Sequence, residues 1–185
     1  MEVKIRKATL EDANTISNIY ALSWKSAYKG LVPQKYLDEL KCTFWVSSFQ
    51  NWINNNTLTA LLICENELPV GCIAYGKARD DNFADWGEIK SLYLLPDRFR
   101  KGYGEKLLQT AIIDMKTMGY ENFYLWVLNE NYNARNFYES NGFICSNDVF
   151  TSEILQKQLV NVRYILTSSN DIKFRRNQKT SGTNT

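Results

Sequence analysis

Three observations in the sequence predict an α/β fold with a mixed, mostly antiparallel central sheet and helices on both faces. Short apolar segments of strand length mix with amphipathic helical patterns, but not in the strict alternation of a parallel sheet. Two strand-like runs flank the polar turn Glu65-Asn66-Glu67, as the arms of a hairpin do. Residues 88–108 read as an apolar strand, a Pro-broken basic loop with two glycines, and the start of an amphipathic helix. At 185 residues the chain fits one domain with a sizeable core. A hydrophobic content of 44% with 14% aromatics excludes global disorder.

The elements follow in order. Residues 3–7 form a strand. Thr9 with Asp12 three positions on is a capping-box pattern, and Ala13, Ile16, Ile19, Tyr20, Trp24 and Ala27 then recur at helical spacing. Gly30 and Pro33 end that helix, and a second is expected over 33–53. Strands are expected at 58–65, 69–78 and, after the loop 79–85, at 86–95. Tyr103, Leu107, Leu108, Ala111, Ile112 and Met115 mark one face of a helix that Gly119 stops. A buried strand at 122–128, a short helix at 133–141 and strands near 143–150 and 156–166 close a domain spanning 1–166.

Charge and cysteine usage narrow the class. The net charge is +2, but residues 167–185 alone carry +3 and are rich in Ser, Thr and Asn, so they read as a disordered, solvated tail. The rest of the chain is therefore slightly acidic, which argues against nucleic acid as the partner. The N-terminus lacks the apolar core of a signal peptide and no run reaches membrane-span length, so a cytoplasmic protein with no membrane partner is expected. Cys42, Cys64, Cys72 and Cys145 show no Cys-x-x-Cys spacing and the chain has no histidine. They read as reduced, mostly apolar thiols, and no metal site is expected.

The strand–loop–helix at 88–108 carries the chemistry. Unpaired amides and the dipole at a helix N-terminus favour anions, and glycines allow close approach. Arg98, Arg100 and Lys101 add full charges. A Walker A loop is excluded because Glu105 follows Gly104, and the dinucleotide fingerprint fails because Leu107 stands where its third glycine belongs.

This segment resembles the acetyl-CoA-binding motif of the GNAT superfamily of N-acetyltransferases, Gln/Arg-x-x-Gly-x-Gly/Ala after a strand. Aligned on Gly102 and Gly104, Phe99 stands where Gln or Arg is usual and Arg100 where glycine is common. A second stretch is similar to the family's other signature: the strand Leu125-Trp-Val-Leu, then Asn131, then Phe137-Tyr138 and Gly142-Phe143. The runs at 5–12 and 23–33 also resemble bacterial members, so the resemblance covers roughly residues 3–166.

The resemblance implies a GNAT-like fold, acetyl-CoA as co-substrate and no metal. It implies a cleft for the pantetheine arm where strands 91–95 and 125–128 diverge, with a backbone N–H among Leu92, Tyr93 and Leu94 stabilising the oxyanion. The pyrophosphate would meet the loop Arg98, Phe99, Arg100, Lys101, Gly102, Tyr103, Gly104 and Glu105. Asn131 and Asn133 would also contact the cofactor, although Asn131 reads equally as a helix cap. Tyr138 matches the leaving-group acid, its alternative being a packed aromatic. Glu88, fourteen residues before Gly102, matches the base of the histone-acetylating branch, with a water relay as the alternative.

For the acceptor, Trp24 and Tyr28 lie one turn apart with Tyr36 following, and Asp80, Asp81 and Asp85 precede the central strand. Aromatics and carboxylates suit a cationic amine, and a Trp/Tyr pair at this spacing also suits a core. The expectation is direct acetyl transfer to a primary amine of a small molecule. A protein N-terminus or lysine as acceptor, a non-catalytic acyl-CoA-binding module, and a homodimer are left open.

Overall fold

A computed structural model describes residues 2–169; most of the tail expected to be disordered lies outside them. Seven strands form one sheet: β1 (Val3–Lys7), β2 (Thr59–Glu65), β3 (Leu68–Lys77), β4 (Gly87–Leu94), β5 (Phe123–Leu128), β6 (Ile144–Ile154) and β7 (Lys157–Leu166). Their order is β1-β2-β3-β4-β5-β7-β6, antiparallel throughout except for the β4–β5 pair. The helices are α1 (Ala13–Ala27), α2 (Gln34–Glu39), α3 (Val46–Asn54), α4 (Tyr103–Thr117) and α5 (Tyr132–Ser140).

Period-2 alternation with both faces covered explains why the strands read as continuous apolar runs. In β2, Leu61 and Ile63 point into the core beneath α4, whereas Ala60, Leu62 and Cys64 pack under α1 and α3. The α4 stripe of Leu107, Leu108, Ala111, Ile112 and Met115 is fully buried, each large side chain contributing about 1.5–3 kcal/mol of transfer free energy. A third, smaller core joins Leu37 of α2 to Leu128 and Leu159.

The helix expected over 33–53 is two helices. The chain leaves the helical region at Leu40 (ψ 112°) and re-enters at Val46. Apolar spacing persists across the break, and the cause lies far away: the Trp45 amide donates to Ser17 Oγ of α1 at 3.0 Å, which supplies a side-chain partner at the start of α3. Both hairpin turns run through the left-handed region, at Asn66 and Glu67 and again at Leu155 and Gln156. The second turn carries residues ill-suited to positive φ. Replacing Leu155-Gln156 by Asn-Gly is expected to stabilise the protein by about 1 kcal/mol, read as a rise in melting temperature.

Candidate active site

The cleft originates in one irregularity of β4. Its parallel ladder with β5 has three pairs, Gly87↔Phe123, Glu88↔Tyr124 and Ile89↔Leu125, and then ends. At the same point its register with β3 steps from Tyr75↔Ile89 to Ala74↔Ser91, leaving Lys90 as the extra residue of a bulge. A bulge bends its strand and reverses which side each following residue faces. Ile89 thus packs beneath α4, while Tyr93 packs beneath α1. Beyond the bulge, the Leu95 amide bonds to the Val70 carbonyl of β3 at 2.8 Å. Antiparallel alternation then turns the Tyr93 amide toward β3 and the Leu92 and Leu94 amides toward the opening. The ladder ends just before residues 91–95 and at the first residue of 125–128, the segments for which the family resemblance implies a divergence.

The mouth of this opening is the N-terminus of α4. The first backbone bond of that helix runs from the Lys106 amide to the Gly102 carbonyl at 3.1 Å. The Gly104 and Glu105 amides therefore have no partner within the helix, an anion-binding arrangement. Arg100 and Gly102 both have positive φ, 60° and 77°. That conformation explains why glycine suits the position of Arg100. Arg98 does not reach outward as a free charge: its guanidinium binds Glu65 at 2.6 Å and also Asp97. Glu65, buried at the end of β2, further accepts from Tyr103 Oη at 2.7 Å and pairs with Lys101 at 3.4 Å. Tyr103 and Arg98 hold its carboxyl below the usual range against the opposing effect of burial. Sequence reasoning missed Glu65, whose partners lie 33 to 38 residues away. Arg100 is exposed and pairs with no described residue, so it reaches outward as a full charge, while Lys101, exposed but at 3.4 Å from Glu65, stands beside it.

Gly104 also fixes the approach of α5. A Cβ there would stand 3.3 Å from the Phe137 ring. Gly104→Val is expected to push Phe137 and the helix mouth apart and weaken acetyl-CoA binding about tenfold, as overpacking by about one to two kcal/mol would; titration calorimetry reads the change.

On α5, Asn131 caps the helix, its Oδ1 accepting from the Ala134 amide at 3.2 Å. Asn133 is exposed on the first turn. Tyr138 is buried against Phe137 and Phe143, and its hydroxyl bonds to no described residue. Burial, with the nearby Tyr28 phenol adding to it, pushes the Tyr138 pKa up, so the group keeps its proton. Tyr28 Oη lies 3.4 Å from Tyr93 Oη, which also accepts from Trp24 Nε1 at 3.0 Å. The Trp24/Tyr28 pair is thus helix packing, its rings 4.6 Å apart, and of the two only Trp24 reaches the cavity beside Glu88.

Glu88 is buried, with one side-chain oxygen or the other taken by each neighbouring donor. Arg79 donates through its backbone amide (3.0 Å), Nε (2.9 Å) and Nη2, and Lys90 donates at 3.1 Å. Burial would raise its pKa, but Arg79 and Lys90 outweigh it and hold the carboxyl below the usual range. Such a carboxylate is a weak base. Beside it opens a cavity of about 350 Å³ whose lining includes Tyr20, Trp24, Trp45, Trp52 and Tyr93 together with Arg79, Lys90 and Ser91. Tyr28 and Asp85 do not line it; Asp85 is exposed, and Asp80 is engaged by Arg163 of β7 at 2.6 Å.

Comparison with known proteins decides the family. The model of the Acetyltransferase (GNAT) family matches residues 22–143, two thirds of the chain. The chain belongs to the GNAT acetyltransferase family. As a GNAT enzyme it is an acetyl-CoA-dependent acyltransferase. It is 27% identical over 131 residues to the uncharacterized N-acetyltransferase YuaI of Bacillus subtilis, covering 70% of this chain and 73% of that one. It is 25% identical over 167 residues to a spermidine N(1)-acetyltransferase of Thermoplasma acidophilum, covering 85% and 98%. Among solved structures, the PaiA N-acetyltransferase of T. acidophilum in complex with coenzyme A superposes with a TM-score of 0.69 at 24% identity, covering 87% of this chain and 98% of that one. The YncA acetyltransferase of Salmonella typhimurium with acetyl-CoA superposes with a TM-score of 0.69 at 20% identity, covering 90% and 94%. The GNAT fold accounts for the single parallel pair and its divergence. Among the described residues no helix is long and apolar enough to cross a membrane, and no cluster of His, Cys, Asp or Glu could hold a metal ion.

Proposed function

We propose that this GNAT enzyme transfers acetyl from acetyl-CoA directly to the primary amine of a small molecule held in the aromatic cavity. The observation that carries this reading is where the cavity meets β4. Lys90 and Ser91 belong to the bulge at which β4 leaves β5, so an amine seated there lies beside the cleft opening. The enclosing tryptophans favour a compact acceptor. The spermidine N(1)-acetyltransferase of T. acidophilum, similar over most of this chain, acts on a small amine and supports the class.

Each residue then has a task. The Gly104 and Glu105 amides, with Arg100 and Lys101, hold the pyrophosphate, and the pantetheine arm lies along the backbone beyond the bulge. The Leu92 or Leu94 amide donates to the acetyl oxygen as negative charge develops there. Tyr138 donates its hydroxyl to the departing sulfur; the same burial that raises the phenol raises a thiol's proton affinity, keeping the two matched. The ammonium proton leaves by water, because Glu88 is committed to Arg79 and Lys90. Calorimetry with acetyl-CoA, followed by free-thiol release across amines, amino acids and short peptides, tests the proposal. Binding with release that depends on a small acceptor is expected; release only with peptides, or no binding, would overturn it.

A further inference from the structure

The cavity's charge is the reverse of what a cationic acceptor needs. Two cations line the cavity, Arg79 and Lys90, and no carboxylate does. Glu88 behind them supplies one negative charge against two positive ones. Lys90 Nζ bonds to Glu88 at 3.1 Å and to the Lys77 carbonyl at 3.0 Å, leaving its third N–H. Arg79 uses Nε and Nη2 on Glu88, while Nη1 has no partner among the described residues. The ion pair with the buried Glu88 carboxylate holds Lys90, itself largely buried, in place, whereas Arg79 is mostly exposed. The remaining donors are net positive, in a cavity otherwise lined mainly by aromatic side chains with Thr57, Leu58 and Ala74.

On this geometry we infer that the acceptor is an amine that also carries an anion, a carboxylate on a compact apolar body, bound with its carboxylate on Lys90 and Arg79. The inference rests on the acetyl-transfer reading and sharpens it. Bidentate or paired cationic donors bind carboxylates strongly in a site partly shielded from water. The Trp24, Trp45 and Trp52 walls take the apolar body. The anion, by neutralising Lys90 and Arg79, leaves the amine free to point toward the cleft. A polyamine would set its distal ammonium against like charge, so this chain departs from the acceptor of its spermidine-acetylating relative.

Matched pairs that differ only in the carboxylate test this. Free-thiol release from acetyl-CoA would be followed with phenylalanine against 2-phenylethylamine, leucine against isoamylamine, and spermidine. The carboxylated member of each pair is expected to show a kcat/KM at least about tenfold higher, and Lys90→Met should erase most of that difference. A second readout needs no turnover, because three tryptophans line the cavity: quenching by N-acetylphenylalanine against N-acetyl-2-phenylethylamine. Preference for the decarboxylated amines or spermidine would overturn the inference while leaving acetyl transfer intact. So would neither product quenching while acetyl-CoA still binds. Failure of acetyl-CoA itself to bind would instead remove the transfer reading beneath it.

Discussion

Tyr138→Phe is expected to lower kcat for acetyl transfer about 10²-fold, the loss typical of a missing general acid, with acetyl-CoA affinity and folding unchanged. The phenyl ring keeps its edge contacts with Phe137 and Phe143, whose centroids lie 5.1 and 5.8 Å away. Only a hydroxyl is deleted, and it bonds to no described residue, so no buried partner is orphaned. A structural role would appear in the melting temperature; a role at the sulfur appears in kcat alone. Because burial lifts this phenol above its ordinary value of about 10, the rate should also show no decline from its ionisation across the neutral and mildly alkaline range. Unchanged kcat in the variant would assign proton delivery to water.

Most of this framework is legible in the sequence because it rests on local rules. Apolar runs of strand length place the strands, helical spacing places α1 and α4, and the Gly102–Gly104 loop marks the helix mouth. The failures share one physical cause, contacts between residues distant in the chain. Ser17 meeting the Trp45 amide splits a segment whose apolar spacing is helical throughout. Glu65 reads as part of a turn, yet it organises the loop from underneath through Arg98 and Tyr103. Asp80 reads with Asp85 as an attractor for amines, but Arg163, 83 residues later, claims it. The Lys90 bulge is a one-residue slip with no glycine or proline to announce it, and it reverses the face of every β4 side chain that follows. That slip brings Lys90, Ser91 and Tyr93 of one strand into the lining of a cavity.

Glu88→Gln separates the two tasks open to this carboxylate. The amide keeps the shape but not the charge, so Lys90, largely buried, is left without a counter-ion. Breaking a fully buried ion pair costs about 3–5 kcal/mol. Here the Arg79 side chain is 68% exposed and can turn to solvent, so about 2 kcal/mol is expected. For a chain of this size that is a fall in melting temperature of about 4–8 °C. The pH dependence has a definite sign. The folded carboxyl is held below its unfolded value, so its contribution is fully present above about pH 4.3 and fades as pH falls through the folded value. The stability gap between the two proteins should therefore be wide at neutral pH and close in acid. Turnover should survive, with the loss appearing mainly as a raised KM for the acceptor, since a neutral amide no longer fixes Arg79 and Lys90. A drop in kcat of about 10²-fold without a change in acceptor KM is what loss of a general base brings. That result would return Glu88 to the chemistry and leave Arg79 and Lys90 as its scaffold.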